Sequence, residues 1–159
     1  MALSVEPADR DDVLVSLARL RWSEWHEHSG REDLRWWIDV TRREAGRAEL
    51  PVTFVAVDAG EVVGGAGLVA TEHQELADRG PWVVGMIVRD DVRGQGIGKA
   101  IMARLVEWAI EARIDRLWVV ADGRAVDFYR ACGFTVVDVV RLTGGHRPTV
   151  LTASTTRQS

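Results

Sequence analysis

Residues 88–100 read Val-Arg-Asp-Asp-Val-Arg-Gly-Gln-Gly-Ile-Gly-Lys-Ala and set a glycine-studded turn between an apolar, strand-like run and an amphipathic helical pattern. Glycine lets the backbone turn tightly and approach a ligand with no Cβ in the way. The first N–H groups of the helix that follows have no intrahelical acceptor, and the helix dipole adds a partial positive charge there. A strand, a glycine turn and a helix start in this order form a cradle for an anion such as a phosphate.

Three kinds of glycine-rich phosphate loop are separated by spacing. A nucleoside-triphosphate P-loop needs a Gly five residues before Gly-Lys and a Ser or Thr after it, whereas Arg93 and Ala100 stand there. A dinucleotide fingerprint needs Gly-x-Gly-x-x-Gly, and from Gly94 the third glycine is replaced by Lys99. What remains is Arg93-x-x-Gly96-x-Gly98. A second pattern follows about thirty residues on, Ala125-Val126-Asp127-Phe128-Tyr129-Arg130-Ala131-Cys132-Gly133-Phe134, with room between the two for one helix and one strand. The first resembles the pyrophosphate motif Q/R-x-x-G-x-G/A of the GNAT acetyltransferase superfamily, and the second resembles that family's fourth-helix signature A-x-x-F-Y-x-x-x-G-F. An ordinary helix start and a helix stop capped by Gly133 would account for either one alone.

The expected fold class is therefore α/β: a GNAT fold with a mixed central sheet, splayed at the cofactor cleft and flanked by about four helices. A chain of 159 residues suits one domain, read as 1–153, with a polar tail over 154–159. No apolar run is long enough to span a membrane, and residues 1–12 are acidic and lack the basic and apolar regions of a signal peptide. A cytoplasmic protein without a membrane partner is expected. The single cysteine, Cys132, excludes an internal disulfide and reads as packing within a helix face. A formal charge of −4 argues against nucleic acid and favours a cationic acceptor.

Periodicity supplies the elements. An extended start at residues 3–5 precedes a helix opened by Asp9 and Asp12, with Val13, Leu14, Leu17 and Leu20 at helical spacing. Ser29-Gly30-Arg31-Glu32 reads as a capping box for a second helix carrying Leu34, Trp37, Ile38 and Thr41. Runs at 53–58 and 62–70 flank Ala59-Gly60 as a hairpin, and Trp82–Val88 is the next strand. Ile97, Ile101, Leu105 and Trp108 stripe the helix after the glycines. Arg116–Ala121 then reads as a strand parallel to Trp82–Val88, and 134–142 with 148–153 form a closing hairpin around Gly144-Gly145.

The resemblance implies acetyl-CoA as acyl donor, held by Arg93, Gly94, Gln95, Gly96, Ile97, Gly98 and Lys99, with Met86, Ile87 and Val88 along the pantetheine arm. Which amide of that strand polarises the thioester carbonyl stays open. Tyr129, the only tyrosine, falls on the residue that acts as general acid in many family members; the plainer reading is a ring packed beside Phe128. Asp122 replaces an asparagine that often contacts the cofactor, so it either keeps part of that contact or caps the following helix.

The implied reaction is direct acetyl transfer to an amine, which needs a base. Many members of the family place that base as a carboxylate on the strand before the glycine loop, and Trp82–Val88 carries none. Since the first two helices often cover the acceptor site in the family, the resemblance points instead to the helical junction 22–29. Glu24 and Glu27 are the carboxylates there, beside His26 and His28, with Glu72, His73 and Glu75 a second group. Each is also an ordinary surface side chain. Trp22 and Trp25 are candidate walls for a cationic amine, whether small molecule or peptide, and equally candidate packing. His26 and His28 point differently on a helix, so no metal is expected. The alternative to an enzyme is a non-catalytic acyl-CoA-binding or regulatory module of the same fold. Homodimerisation through edge strands is compatible with the family and is not specified by the sequence.

Overall fold

A computed structural model describes residues 3–142 and 144–156. Among the described residues, seven strands, numbered in chain order, are hydrogen-bonded in the order β1-β2-β3-β4-β5-β7-β6, in a mixed sheet accompanied by four α-helices. The residues gather into two compact units.

The first unit holds the residues up to Leu68 together with Gly85–Leu105. Strand β1 (Leu3–Pro7) pairs antiparallel with β2 (Val52–Asp58), from Leu3↔Asp58 to Pro7↔Phe54. Ala59 and Gly60, both at positive φ (52° and 82°), turn β2 into the antiparallel β3 (Glu61–Val69), as a two-residue hairpin requires. Helix α1 (Asp11–Ser29) lays Val13, Leu14 and Leu17 against Val55 and Ile87, which excludes water from this side of the strands. Helix α2 (Leu34–Arg43) buries Trp37 and Thr41.

The expected capping box is corrected here. Ser29 ends α1, Gly30 is its left-handed cap at φ 74°, and α2 is capped by Asp33, whose carboxylate accepts from the Arg35 N–H at 2.9 Å. A short carboxylate one residue before the helix competes better for the free N–H groups than a hydroxyl still inside the preceding helix. The Ser29 hydroxyl instead accepts locally from the Arg31 N–H.

The second unit holds Val69–Val84 and the residues from Val106 on. The first part of β4 (Trp82–Val88) pairs parallel with β5 (Arg116–Ala121) at Trp82↔Trp118. Both strands have the bounds expected from sequence. Strand β5 pairs antiparallel with β7 (Thr149–Ser154), which also pairs with β6 (Thr135–Val139). Trp82 is fully buried among Leu76, Val84, Leu142 and Val150, and its indole donates to the Arg79 carbonyl at 2.8 Å. Ser154 closes β7, and Thr155 is buried with its N–H donating to the Asp115 carbonyl at 2.9 Å, so the expected tail begins as folded structure; residues 157–159 lie outside the described residues.

Helix α4 (Arg124–Ala131) starts after Gly123 at φ 53° with no side-chain cap. The capping alternative for Asp122 is thereby excluded. Cys132 is the C-cap of α4 and only partly buried, rather than part of a helix face, and Gly133 at φ 96° ends the helix as expected.

Candidate functional site

The glycine turn is built on the end of β4. After Val88 a single 3₁₀ turn, Asp90–Val92, leads to Gly94 and Gly96, both at φ 82°, and then to α3 (Ile97–Glu111). A Cβ on either glycine would meet nothing within 4 Å, so it is the left-handed backbone and not crowding that calls for glycine. The Ala100 N–H makes an intrahelical bond to the Gly96 carbonyl at 3.0 Å, and the amides of Ile97, Gly98 and Lys99 precede it. Ile97, Ile101, Leu105 and Trp108 are buried and fix the helix by its apolar face.

Arg93 ties this turn together. Its Nε donates to the Val88 carbonyl at 2.9 Å, Nη1 meets Asp90 Oδ1 at 2.6 Å, and Nη2 meets Glu24 Oε2 at 3.2 Å. Arg89 clamps the entry to the turn: hydrogen bonds from its guanidinium hold the Asp91 carboxyl below its usual value, and Arg89 also meets Glu61 at 3.2 Å.

A residue that sequence reasoning passed over sits behind β4. Arg21 lies on the buried face of α1, one turn beyond Leu17, and is 2 % exposed. Its Nε donates to the Gly85 carbonyl at 3.1 Å, and Nη1 donates to Thr41 Oγ1 and Glu44 Oε1, each at 3.0 Å. Burial pulls the guanidinium below its usual pKa while Glu44 opposes that shift. The signal available in the sequence was an arginine standing in the apolar stripe of Leu14, Leu17 and Ala18.

In the second unit, Tyr129 is 5 % exposed and held edge-on by Phe128 and Phe134, with ring centroids 5.0 and 5.5 Å away. Burial pushes the phenol above its usual pKa, and the charges of Cys132 and Glu72 push the same way. Asp122, the residue after β5, meets His146 Nε2 through Oδ2 at 2.8 Å, a pairing across 24 residues that no local pattern announced.

The model of the Acetyltransferase (GNAT) family matches residues 12–134. The chain belongs to the GNAT acetyltransferase family. An uncharacterized N-acetyltransferase of Methanocaldococcus jannaschii is 33% identical over 94 residues, 57% of this chain, and the chain spans 37% of that relative's length. Among solved structures, an aminoglycoside 6'-N-acetyltransferase complexed with coenzyme A superposes with a TM-score of 0.78 at 15% identity, over 100% of this chain and 99% of the other. The ribosomal-protein-S18-alanine N-acetyltransferase from Escherichia coli gives 0.70 at 14% identity, over 99% and 97%. At these identities the likeness carries the GNAT fold.

The remaining candidates of this GNAT chain lie on α1 and after β3. Glu24 is committed to Arg93, whereas Glu27 is well exposed and lies 3.9 Å from His26 Nε2. Trp22 stacks on His26 with ring centroids 4.6 Å apart, and its indole donates to the Glu32 carbonyl at 2.8 Å. Trp25 packs on Trp37 at 6.0 Å and against the α1 core, so its packing reading gains direct support. Glu72 meets His73 at 3.7 Å, and its charge reaches Tyr129. Among the described residues no helix is long and apolar enough to cross a membrane.

Proposed function

We propose that the protein is an N-acetyltransferase that moves the acetyl group of acetyl-CoA directly onto an amine. The observation that carries this reading is the turn 93–99: two glycines in the left-handed region deliver the chain into a helix whose leading amides are free of intrahelical acceptors, in a chain of the GNAT family. Such a group of N–H donors suits a pyrophosphate. In this reading Arg93, Gly94, Gln95, Gly96, Ile97, Gly98 and Lys99 hold the pyrophosphate, Met86, Ile87 and Val88 border the pantetheine arm, and Asp122 borders the cofactor.

The chemistry needs three things of the protein. The ammonium must lose a proton so that its nitrogen lone pair can attack the thioester carbon; Glu24 or Glu27 takes that proton, directly or through water. The tetrahedral oxyanion must be met by a fixed N–H of β4. As the C–S bond breaks, the thiolate receives a proton from Tyr129, which burial keeps in its neutral, donating form. Of the two candidate walls, Trp22 flanks the acceptor while Trp25 packs behind it on Trp37, and the acidic Glu24, Glu27 and Glu32 favour a cationic amine.

The test is calorimetric titration with acetyl-CoA, followed by thiol release across polyamines, aminoglycosides, arylamines and peptides. Binding with amine-dependent release establishes the reaction and its acceptor class. Binding without release from any amine favours the non-catalytic module, and no binding by folded protein overturns the cofactor assignment.

A further inference from the structure

We infer that Arg21 is a positioning residue that aims the Met86 N–H as the oxyanion donor, by fixing the peptide plane between Gly85 and Met86. The inference rests on the acetyl-transfer reading and names the amide of β4 that would serve it.

Gly85 stands in the middle of a strand at φ 60°, a conformation that side chains disfavour. The space a side chain would fill there is taken: a Cβ on Gly85 would lie 2.6 Å from Arg21 Cζ and 2.8 Å from Nε, with Nη2 closer still. The guanidinium lies against the Gly85 backbone and donates to its carbonyl from Nε at 3.1 Å. The Gly85–Met86 bond is trans, and in a planar trans unit the C=O and the following N–H point to opposite sides. Once the Gly85 carbonyl is drawn to Arg21, the Met86 N–H is turned away from α1 and held there.

Arg21 is itself over-determined. Thr41 and Glu44, on and just after α2, grip Nη1, so the guanidinium cannot rotate without breaking both bonds. Nη2 is buried with no hydrogen-bond acceptor among the described residues. A desolvated charge with one donor unsatisfied is a poor source of stability compared with an apolar side chain. What it supplies is direction, since a fork of rigid donors orients a carbonyl as an aliphatic side chain cannot. The glycine loop and Met86 belong to the same compact unit as Arg21, so the amide is held in the frame that holds the pyrophosphate cradle.

The test is difference infrared spectroscopy of acetyl-CoA labelled with ¹³C at the thioester carbonyl, bound to wild type, Arg21→Met and Arg21→Lys. A hydrogen bond from Met86 lowers the carbonyl stretch. The wild type should give the lowest frequency and Arg21→Met the highest. Arg21→Lys, which keeps a charge opposite Glu44 without the planar fork, should fall between them. Calorimetry on the same samples should show acetyl-CoA affinity changed by less than about threefold, because the loop amides are untouched. With any amine that supports turnover, kcat should drop roughly 100-fold in Arg21→Met while KM for acetyl-CoA holds. Should Arg21→Met fail to fold, Arg21→Lys carries the comparison. A wild-type carbonyl frequency in either folded variant overturns the inference and leaves the acetyl-transfer reading standing. Failure of the wild type itself to bind acetyl-CoA overturns both, and is seen before any variant is measured.

Discussion

The phenol of Tyr129 illustrates how one side chain's surroundings set its chemistry. Water is removed from it by Phe128 and Phe134, and the phenolate, the form that most needs water, is penalised. Its pKa therefore lies above the ordinary value of about 10. The stability contributed by the neutral buried phenol is fully present below about pH 10 and is lost as the pH rises toward the folded value. Wild type should accordingly lose denaturation midpoint above pH 10 through a contribution that Tyr129→Phe lacks, as parallel urea titrations at pH 8 and 10.5 would reveal. Between pH 7 and 9 the hydroxyl stays a proton donor. Tyr129→Phe should lower turnover about 100-fold or more, the usual reach of a positioned acid, with acetyl-CoA affinity unchanged by calorimetry. Full turnover in the variant would return Tyr129 to packing. Glu24 poses the opposite case, a carboxylate whose charge is already engaged by Arg93 at 3.2 Å. If that guanidinium serves the pyrophosphate, Glu24 competes with the cofactor for it. Glu24→Gln should tighten acetyl-CoA binding a few-fold and, with the base removed, slow turnover. Tighter binding with full turnover would move the base to Glu27.

Among the elements, those whose information is local were legible in the sequence. Strands β4 and β5 have their expected bounds because each is a short apolar run with a clear stop, and the α3 stripe is buried as its spacing requires. Where a local signal had a nearby competitor, the reading failed: Ser29 had the right chemistry for a cap, but α1 runs through it and Asp33 is better placed. What could not be read locally was whatever joins distant residues, as with Arg21 and Gly85, 64 positions apart, or Asp122 and His146. The glycine turn is local, and so its test is too. Asn and Asp both tolerate the left-handed region, and open space surrounds the Cβ position at Gly96. Gly96→Asn should therefore fold and bind, whereas Gly96→Asp sets a charge beside the pyrophosphate and should bind acetyl-CoA roughly tenfold more weakly than Gly96→Asn. Equal affinities for the two variants would remove the phosphate from this turn.

At the scale of the whole molecule, neither compact unit is bounded by a linker. Strand β4 gives Trp82–Val84 to one and Gly85–Val88 to the other, and α3 passes from one to the other after Leu105. The family match at residues 12–134 likewise draws on both. Unfolding either unit would remove part of a strand and part of a helix from its neighbour, since a strand loses its ladder and a helix its i→i−4 bonds when truncated. We propose that the chain unfolds as one cooperative domain despite the two clusters of contacts. Scanning calorimetry should give a single transition with matching calorimetric and van't Hoff enthalpies. Acetyl-CoA at about 100 times its Kd should add about 2.7 kcal/mol and, at this chain length, raise Tm by roughly 5–10 °C without splitting the peak. Two resolved transitions, or a rise confined to one of them, would mean that the unit carrying the glycine turn folds and binds independently of the unit carrying Tyr129.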